Sequence, residues 1–183
     1  IAQVALWLMD HQINLKISEE FGEYFARIPL RSSGSIVCGN ALRLDWNEVV
    51  PAKELSYIFG NPPFVGAKFI DDDQRADVAQ VFGNMKNAGL LDFVAAWYVK
   101  AAKLMQGTQI RCAFVSTNSI TQGEQVGVLW SWMLAQGMKI FFAHRTFRWN
   151  NEAKGNAAVH CVIAGFTAYD ISPKRLFEYE SIK

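Results

Sequence analysis

The chain has no dominant charge. Its 183 residues carry 18 Lys and Arg against 17 Asp and Glu, a formal net charge of +1. That balance excludes a generally basic coat for nucleic acid, so any such contact must come from a local patch. Cysteine is scarce: Cys38, Cys112 and Cys161 are the only 3. The odd count, with each Cys in an apolar strand-like run, reads as reduced core residues of a cytosolic protein rather than a disulfide framework. With 3 His as well, no metal-ligand spacing is present. No signal peptide is seen, and no apolar run is long enough to span a membrane. What is present is apolar bulk. Some 51% of residues are hydrophobic, enough for a sizeable core, and the length fits one domain. The sequence starts inside a helical pattern with neither Met nor cap and ends in a mixed polar and aromatic tail. It reads as a piece of a larger protein.

One stretch organises the rest: Phe59-Gly60-Asn61-Pro62-Pro63-Phe64. A strand-like run, residues 55–59, leads into it and stops at Gly and Pro. Proline fixes φ and has no N–H, and a residue before proline is pushed to extended geometry. Asn61-Pro62-Pro63 is therefore a stiff arm offering carbonyls and a side-chain amide but few donors. Phe64 puts a flat apolar face beside those acceptors, a combination that suits a planar group bearing an exocyclic amine. A turn with a core Phe is the ordinary reading of a bare Asn-Pro pair. Asn-Pro-Pro-Phe after a strand is more specific.

Along the chain, Ile1, Val4, Ala5 and Leu8 mark a helical stripe that Leu15 extends, with Asp10-His11-Gln12 ending it or facing away. Residues 19–27 read as a second short helix or an irregular segment, and 29–34 as loop. Residues 35–38 are expected as a short buried strand, 45–53 as a connector and 65–77 as a polar loop whose run of Asp residues is a solvated face. Leu91, Val94, Ala95, Tyr98, Ala102 and Met105 fall on one helical stripe closed by Gly107. A strand follows at 110–115, a helix at 122–136 ending at Gly137, and strands at 139–147 and 157–166, where His160 reads as a core histidine. Strands alternating with helices predict an α/β fold with a mainly parallel sheet. The close spacing of the last two strands predicts an antiparallel C-terminal hairpin strand.

Four further segments support the motif. They are Gly39 to Trp46 (GNALRLDW), Leu91 to Tyr98 (LDFVAAWY), Ala113 to Ile120 (AFVSTNSI) and Phe141 to Trp149 (FFAHRTFRW). In content and order, with the Asn-Pro-Pro-Phe loop, they resemble the adenine-N6 DNA methyltransferase domains of MmeI-like bacterial restriction-modification proteins, over most of the chain. The resemblance implies a Rossmann-like, S-adenosylmethionine-dependent methyltransferase sheet. It also implies that residues 1–183 form only part of such a domain. The glycine-rich cofactor loop and N-terminal strands would lie upstream, and a target-recognition domain downstream.

The implied reaction transfers a methyl group from S-adenosylmethionine to N6 of adenine in double-stranded DNA, in the bacterial cytoplasm. The amine lone pair is delocalised into the ring, so acceptors that hold its hydrogens bring it toward the methyl group. Asn61 and Pro62 supply those acceptors, with Pro63 and Phe64 completing the catalytic motif. The target base must leave the duplex and stack on aromatics. Phe64 supplies one face and Phe147 or Trp149 the other. Basic Arg145, Arg148 and Lys154, with His144, could meet phosphate or sit on a solvated hairpin tip. Cofactor contacts are expected from Asn40, Ala41, Asn61, Leu91, Asp92 and Phe93. Asp92 also reads as an acid favoured at a helix N-terminus. No metal is expected. Two alternatives stay open: a methyltransferase of the same fold acting on RNA or a protein glutamine, and an inactive structural fragment. Missing neighbouring strands would leave apolar surface uncovered at 36–38 and 55–59, which predicts self-association.

Overall fold

A computed structural model describes residues 1–22, 34–149 and 159–179. Contacts divide the chain into two units, Ile1–Asn40 and Ala41–Lys183, and each is described by itself. In the first, α1 (Ala2–Phe21) runs through the polar Asp10-His11-Gln12 segment instead of ending there, and buries none of its residues. Its stripe is present but exposed. Gly22 closes it in the left-handed conformation, φ 67°, with its N–H on the Ser18 carbonyl. Residues 35–38 form no strand. They are exposed and unladdered, and Cys38 is exposed with them. A strand needs a partner for its backbone N–H and C=O groups, and among the described residues none lies beside this run.

In the second unit the described residues form one sheet of 5 strands, in the order β1-β2-β4-β3-β5. These are β1 (Tyr57–Gly60), β2 (Arg111–Thr117), β3 (Lys139–Trp149), β4 (Val159–Thr167) and β5 (Arg175–Phe177). β1 pairs parallel with β2, and β5 parallel with β3; β4 runs antiparallel to both β2 and β3. Every strand but β4 therefore points one way. The expected α/β layering and the antiparallel hairpin strand are both found, with β4 inserted between β2 and β3 rather than added outside them.

Helices fill the crossovers: α2 (Trp46–Val49), α3 (Asp72–Phe82), α4 (Ala95–Leu104), and a continuous helical stretch of α5 (Gly123–Gln125), a π-helical turn (Val126–Trp130) and α6 (Ser131–Ala135). α3 corrects the polar loop expected at 65–77. Its Asp run is exposed, as a solvated face would be, but it opens a helix instead of lying in a loop. Asp71 caps the helix by accepting from the Gln74 N–H, and the Gln74 side chain accepts from the Asp71 N–H. That reciprocal capping box satisfies otherwise orphaned donors. Within α3, Asp77 is buried and pairs with Arg43, which holds the Arg43 guanidinium above its ordinary pKa.

The core sits on α4. Leu91, Val94, Ala95, Tyr98, Ala102 and Met105 are buried, as the stripe predicts, and Ala96, Val99 and Ala101 beside the stripe are buried as well. Tyr98 stacks on Phe166 at 5.4 Å and meets Phe114 and Trp130 edge-on at 5.3 and 5.8 Å. Its hydroxyl shares a hydrogen bond of 2.8 Å with Ser116. Of the cysteines, Cys112 and Cys161 are buried in strands. His160 is exposed on β4, a correction to its expected core position. β2 ends at Thr117, opposite Cys161, so His160 lies one residue past the last β2 pairing, although alternation puts it on the same face as buried Val162, Ala164 and Phe166.

Candidate active site

β1, β2 and β3 run in one direction, so their C-terminal ends share one edge of the sheet. Ligands of open α/β sheets bind at that edge. β1 ends at Gly60 and releases Asn61-Pro62-Pro63-Phe64 there as irregular chain. Asn61 is exposed, Pro62 buried and Phe64 half-buried. The buried proline anchors the arm while the amide stays accessible. β2 ends at Thr117 and releases Asn118 and Ser119 at the same edge. β3 ends at Phe147 and Trp149, opposite Cys161 and Val159 of β4. From β1 to β3 is three strand spacings, about 14 Å at roughly 4.8 Å each.

A bulge shapes the end of β3. His144 is opposite Ile163 and Phe147 opposite Cys161, so β3 carries an extra residue just before Phe147. Such bulges re-aim side chains at sheet rims. Phe147 meets Tyr179 at 5.6 Å and Trp149 at 6.2 Å. The Tyr179 hydroxyl lies 2.7 Å from His144 Nδ1, and the His144 ring stacks on Phe177 at 4.5 Å. Trp149 is 41% exposed. Of the basic residues, Arg145 forms an exposed ion pair with Glu178. Arg148 is exposed on β3. Lys154, like all of residues 150–158, lies outside the described residues.

A groove of about 790 Å³ is lined by Gly66, Phe69, Arg75, Asp92, Ser119 and Gln125 among others. It begins two residues beyond Phe64 and falls in the roughly 300–1,000 Å³ range of small-molecule sites. Of the expected cofactor residues, Asn40 is exposed and belongs to the first unit. Ala41 is half-buried, and its carbonyl accepts from the Trp46 indole at 2.8 Å. The turn after Ala41 is held by Lys100, whose ammonium donates to the Leu42 and Leu44 carbonyls. Burial pulls the Lys100 pKa below its ordinary value. Leu91 and Phe93 turn their side chains into the core. Asp92 is 7% exposed. Its Oδ1 accepts from the Ala67 N–H at 2.8 Å, and its Oδ2 accepts from the Ser119 hydroxyl. It caps no turn of α4, which has no side-chain cap. The partners of Asp92 and the Tyr179 brace are contacts that sequence reasoning missed. They join residues 25, 27 and 35 positions apart, and no local pattern announces them.

The acceptor-rich Asn61-Pro62 loop and the end of β3, with Phe147 and Trp149, lie at the same edge of an α/β sheet, the edge where enzymes of this layout place their ligands. A family model described as "MmeI, DNA-methyltransferase domain" matches residues 1–178, and the chain belongs to that family. The whole chain aligns at 42% identity over 187 positions with DNA methyltransferase A of Bacillus subtilis (strain 168), covering 21% of that protein. The solved structure of the Type IIL restriction-modification enzyme MmeI in complex with DNA matches all of this chain with a TM-score of 0.88 and 62% identity, over 25% of its own length. The chain thus spans a quarter or less of each of these relatives. Among the described residues no helix is long and apolar enough to cross a membrane.

Proposed function

We propose that this chain carries the catalytic half of a site that transfers a methyl group from S-adenosylmethionine to N6 of adenine in double-stranded DNA, as part of a restriction-modification system. The observation that carries the reading is the Asn61-Pro62 arm, anchored by buried Pro62 and presenting exposed Asn61 at the carboxyl edge of the sheet. Family membership and the complex of MmeI with DNA support it.

The adenine amine is a weak nucleophile because its lone pair is shared with the ring. The Asn61 side-chain oxygen and the Pro62 carbonyl accept its two hydrogens and turn the lone pair out of conjugation. The same acceptors stabilise positive charge growing on the amine, so positioning and electrostatics do the work. The methylated ammonium is acidic enough to lose its proton afterwards, and no strong general base is needed. Reaching the base means flipping it from the duplex, at a cost of about a few kcal/mol in lost stacking. Phe64 takes one face of the ring. Phe147 takes the other, because its own ring is braced by Tyr179 while Trp149 sits further into solvent. Arg148 and Lys154 serve the phosphates, with Arg145 available where it leaves Glu178.

The groove beside Gly66 and Leu90 fits a cofactor in size, with polar groups along an apolar wall. S-adenosylmethionine supplies an electrophilic methyl group. Within the second unit, Ala41, Asn61 and the Leu91 to Phe93 segment would hold it; of these Asp92 lines the groove, with Leu91 and Phe93 behind it in the core. The test is methyl transfer from labelled S-adenosylmethionine to duplex DNA, RNA and a glutamine peptide. DNA is expected as the acceptor, with Asn61→Ala lowering kcat by about 100-fold or more. Methylation of RNA or peptide instead, or full activity in Asn61→Ala, would overturn the reading.

A further inference from the structure

Asp92 holds the catalytic loop from behind. Three segments meet at this one residue. Its Oδ1 accepts from the Ala67 N–H at 2.8 Å, three residues beyond Phe64. Its Oδ2 accepts from the Ser119 hydroxyl, just past the end of β2. Its backbone N–H donates to Gln125 Oε1 at 3.1 Å, in α5. The next residue extends the seam: the Phe93 N–H donates to the Val65 carbonyl at 2.9 Å. Gly66 passes so close that a Cβ built there would lie 3.8 Å from Asp92 Oδ1. Val65 and Ala67, on either side of Gly66, are therefore tied to Phe93 and Asp92. The Ser119 hydroxyl is in turn 2.6 Å from Thr117 Oγ1, at the last residue of β2.

A hydrogen bond to a buried carboxylate is charge-assisted and stronger than a neutral one. Both oxygens of Asp92 are engaged by protein donors, and its side chain is buried. We propose that Asp92 is a positioning residue: through Ala67 it fixes the exit of the Asn61-Pro62-Pro63-Phe64 loop against the end of β2, and so sets where the two amine acceptors stand. The inference rests on the methyl-transfer reading above. It moves the Asp92 carboxylate from direct cofactor contact to support of the loop. Prolines stiffen the arm internally, but a stiff arm still pivots at its ends. One end is Gly60, in β1; the other is the 65–67 segment that Asp92 grips.

The experiment uses the intact protein that carries this chain, with wild type and Asn61→Ala measured first. A wild type that methylates no DNA would fail the functional reading itself, independently of Asp92. In an active protein, kcat, KM for DNA and the calorimetric Kd for S-adenosylmethionine are compared across Asp92→Asn, Asp92→Ala and Ser119→Ala. A misplacement of about 1 Å costs up to about 100-fold in rate. Asp92→Ala is therefore expected to lower kcat by about 30- to 100-fold, with cofactor Kd within about 3-fold of wild type. Asp92→Asn, which still accepts from Ala67, should recover about 10-fold of that loss. Ser119→Ala should lose less and add little on top of Asp92→Ala, because both cut the same tie. If Asp92→Ala does not fold, the Asp92→Asn and Ser119→Ala variants carry the test. The proposal is overturned if kcat is unchanged in the folded variants. It is equally overturned if cofactor Kd rises 10-fold or more while kcat at saturation holds, since that would mark a direct cofactor contact.

Discussion

Gly165 is where one methyl group should do the most damage to the sheet. It lies on β4 directly opposite Phe142 of β3. A Cβ at this position would sit 2.1, 2.3 and 2.8 Å from three atoms of the Phe142 ring. Carbon atoms rest about 3.5–4.0 Å apart, so the ring must retreat by about 1.4 Å or more. It has poor places to go. Phe141 stands edge-on at 4.9 Å, and His144 edge-on at 5.9 Å. Forced overpacking of this kind costs about 1–3 kcal/mol. Phe142 is only half-buried, which allows some escape, so Gly165→Ala is expected near 2 kcal/mol, or about 4–8 °C in Tm for a chain of this size. The assay is urea and thermal unfolding of wild type, Gly165→Ala, Phe142→Ala and the double variant. Removing the ring removes the clash, so the double variant should be at least about 1 kcal/mol more stable than the sum of the single losses predicts. A Gly165→Ala cost below about 0.5 kcal/mol, or strict additivity in the cycle, would refute the reasoning.

Alkaline pH should destabilise the fold through buried acids. Burial raises the Cys112 thiol and the Tyr98 phenol above their ordinary values of 9.0 and 10.0. The folded state keeps protons that the unfolded chain gives up. The stabilising contribution is complete below pH 9 and falls as pH rises, by about 1.4 kcal/mol per pH unit for each group. Cys112→Ala should flatten the fall in urea midpoint between pH 9 and 10, and an unchanged slope would count against this account. The open edge of β1, where Phe59 is 83% exposed, should drive self-association of the 183-residue chain. Sedimentation is expected to show mass rising with concentration and Phe59→Lys to suppress the rise; a clean monomer at high concentration would sink the idea.

The sequence alone determined the local chemistry. Asn-Pro-Pro after a short apolar strand dictates a stiff, acceptor-rich arm, because ring closure in proline acts on the backbone wherever the segment lies. The stripe from Leu91 to Met105 dictates a buried helix, because its period is internal to the segment. The capping box from Asp71 to Gln74 was equally local, and its signature is present in the sequence although residues 65–77 read more simply as a polar loop. Tertiary structure decided whatever depends on a neighbour. Residues 35–38 have a strand's composition but no ladder, since a strand exists only through its partner. His160 lies in an apolar run, and only the register of β4 leaves it one residue past the last β2 pairing and opposite exposed Arg148. Asp92 reads as a helix-start acid or a ligand contact. Its actual partners, Ala67 and Ser119, come from a loop and a strand end 25 and 27 residues away. A carboxylate's role is set by which donors the fold brings to its two oxygens, and that arrangement exists only in three dimensions.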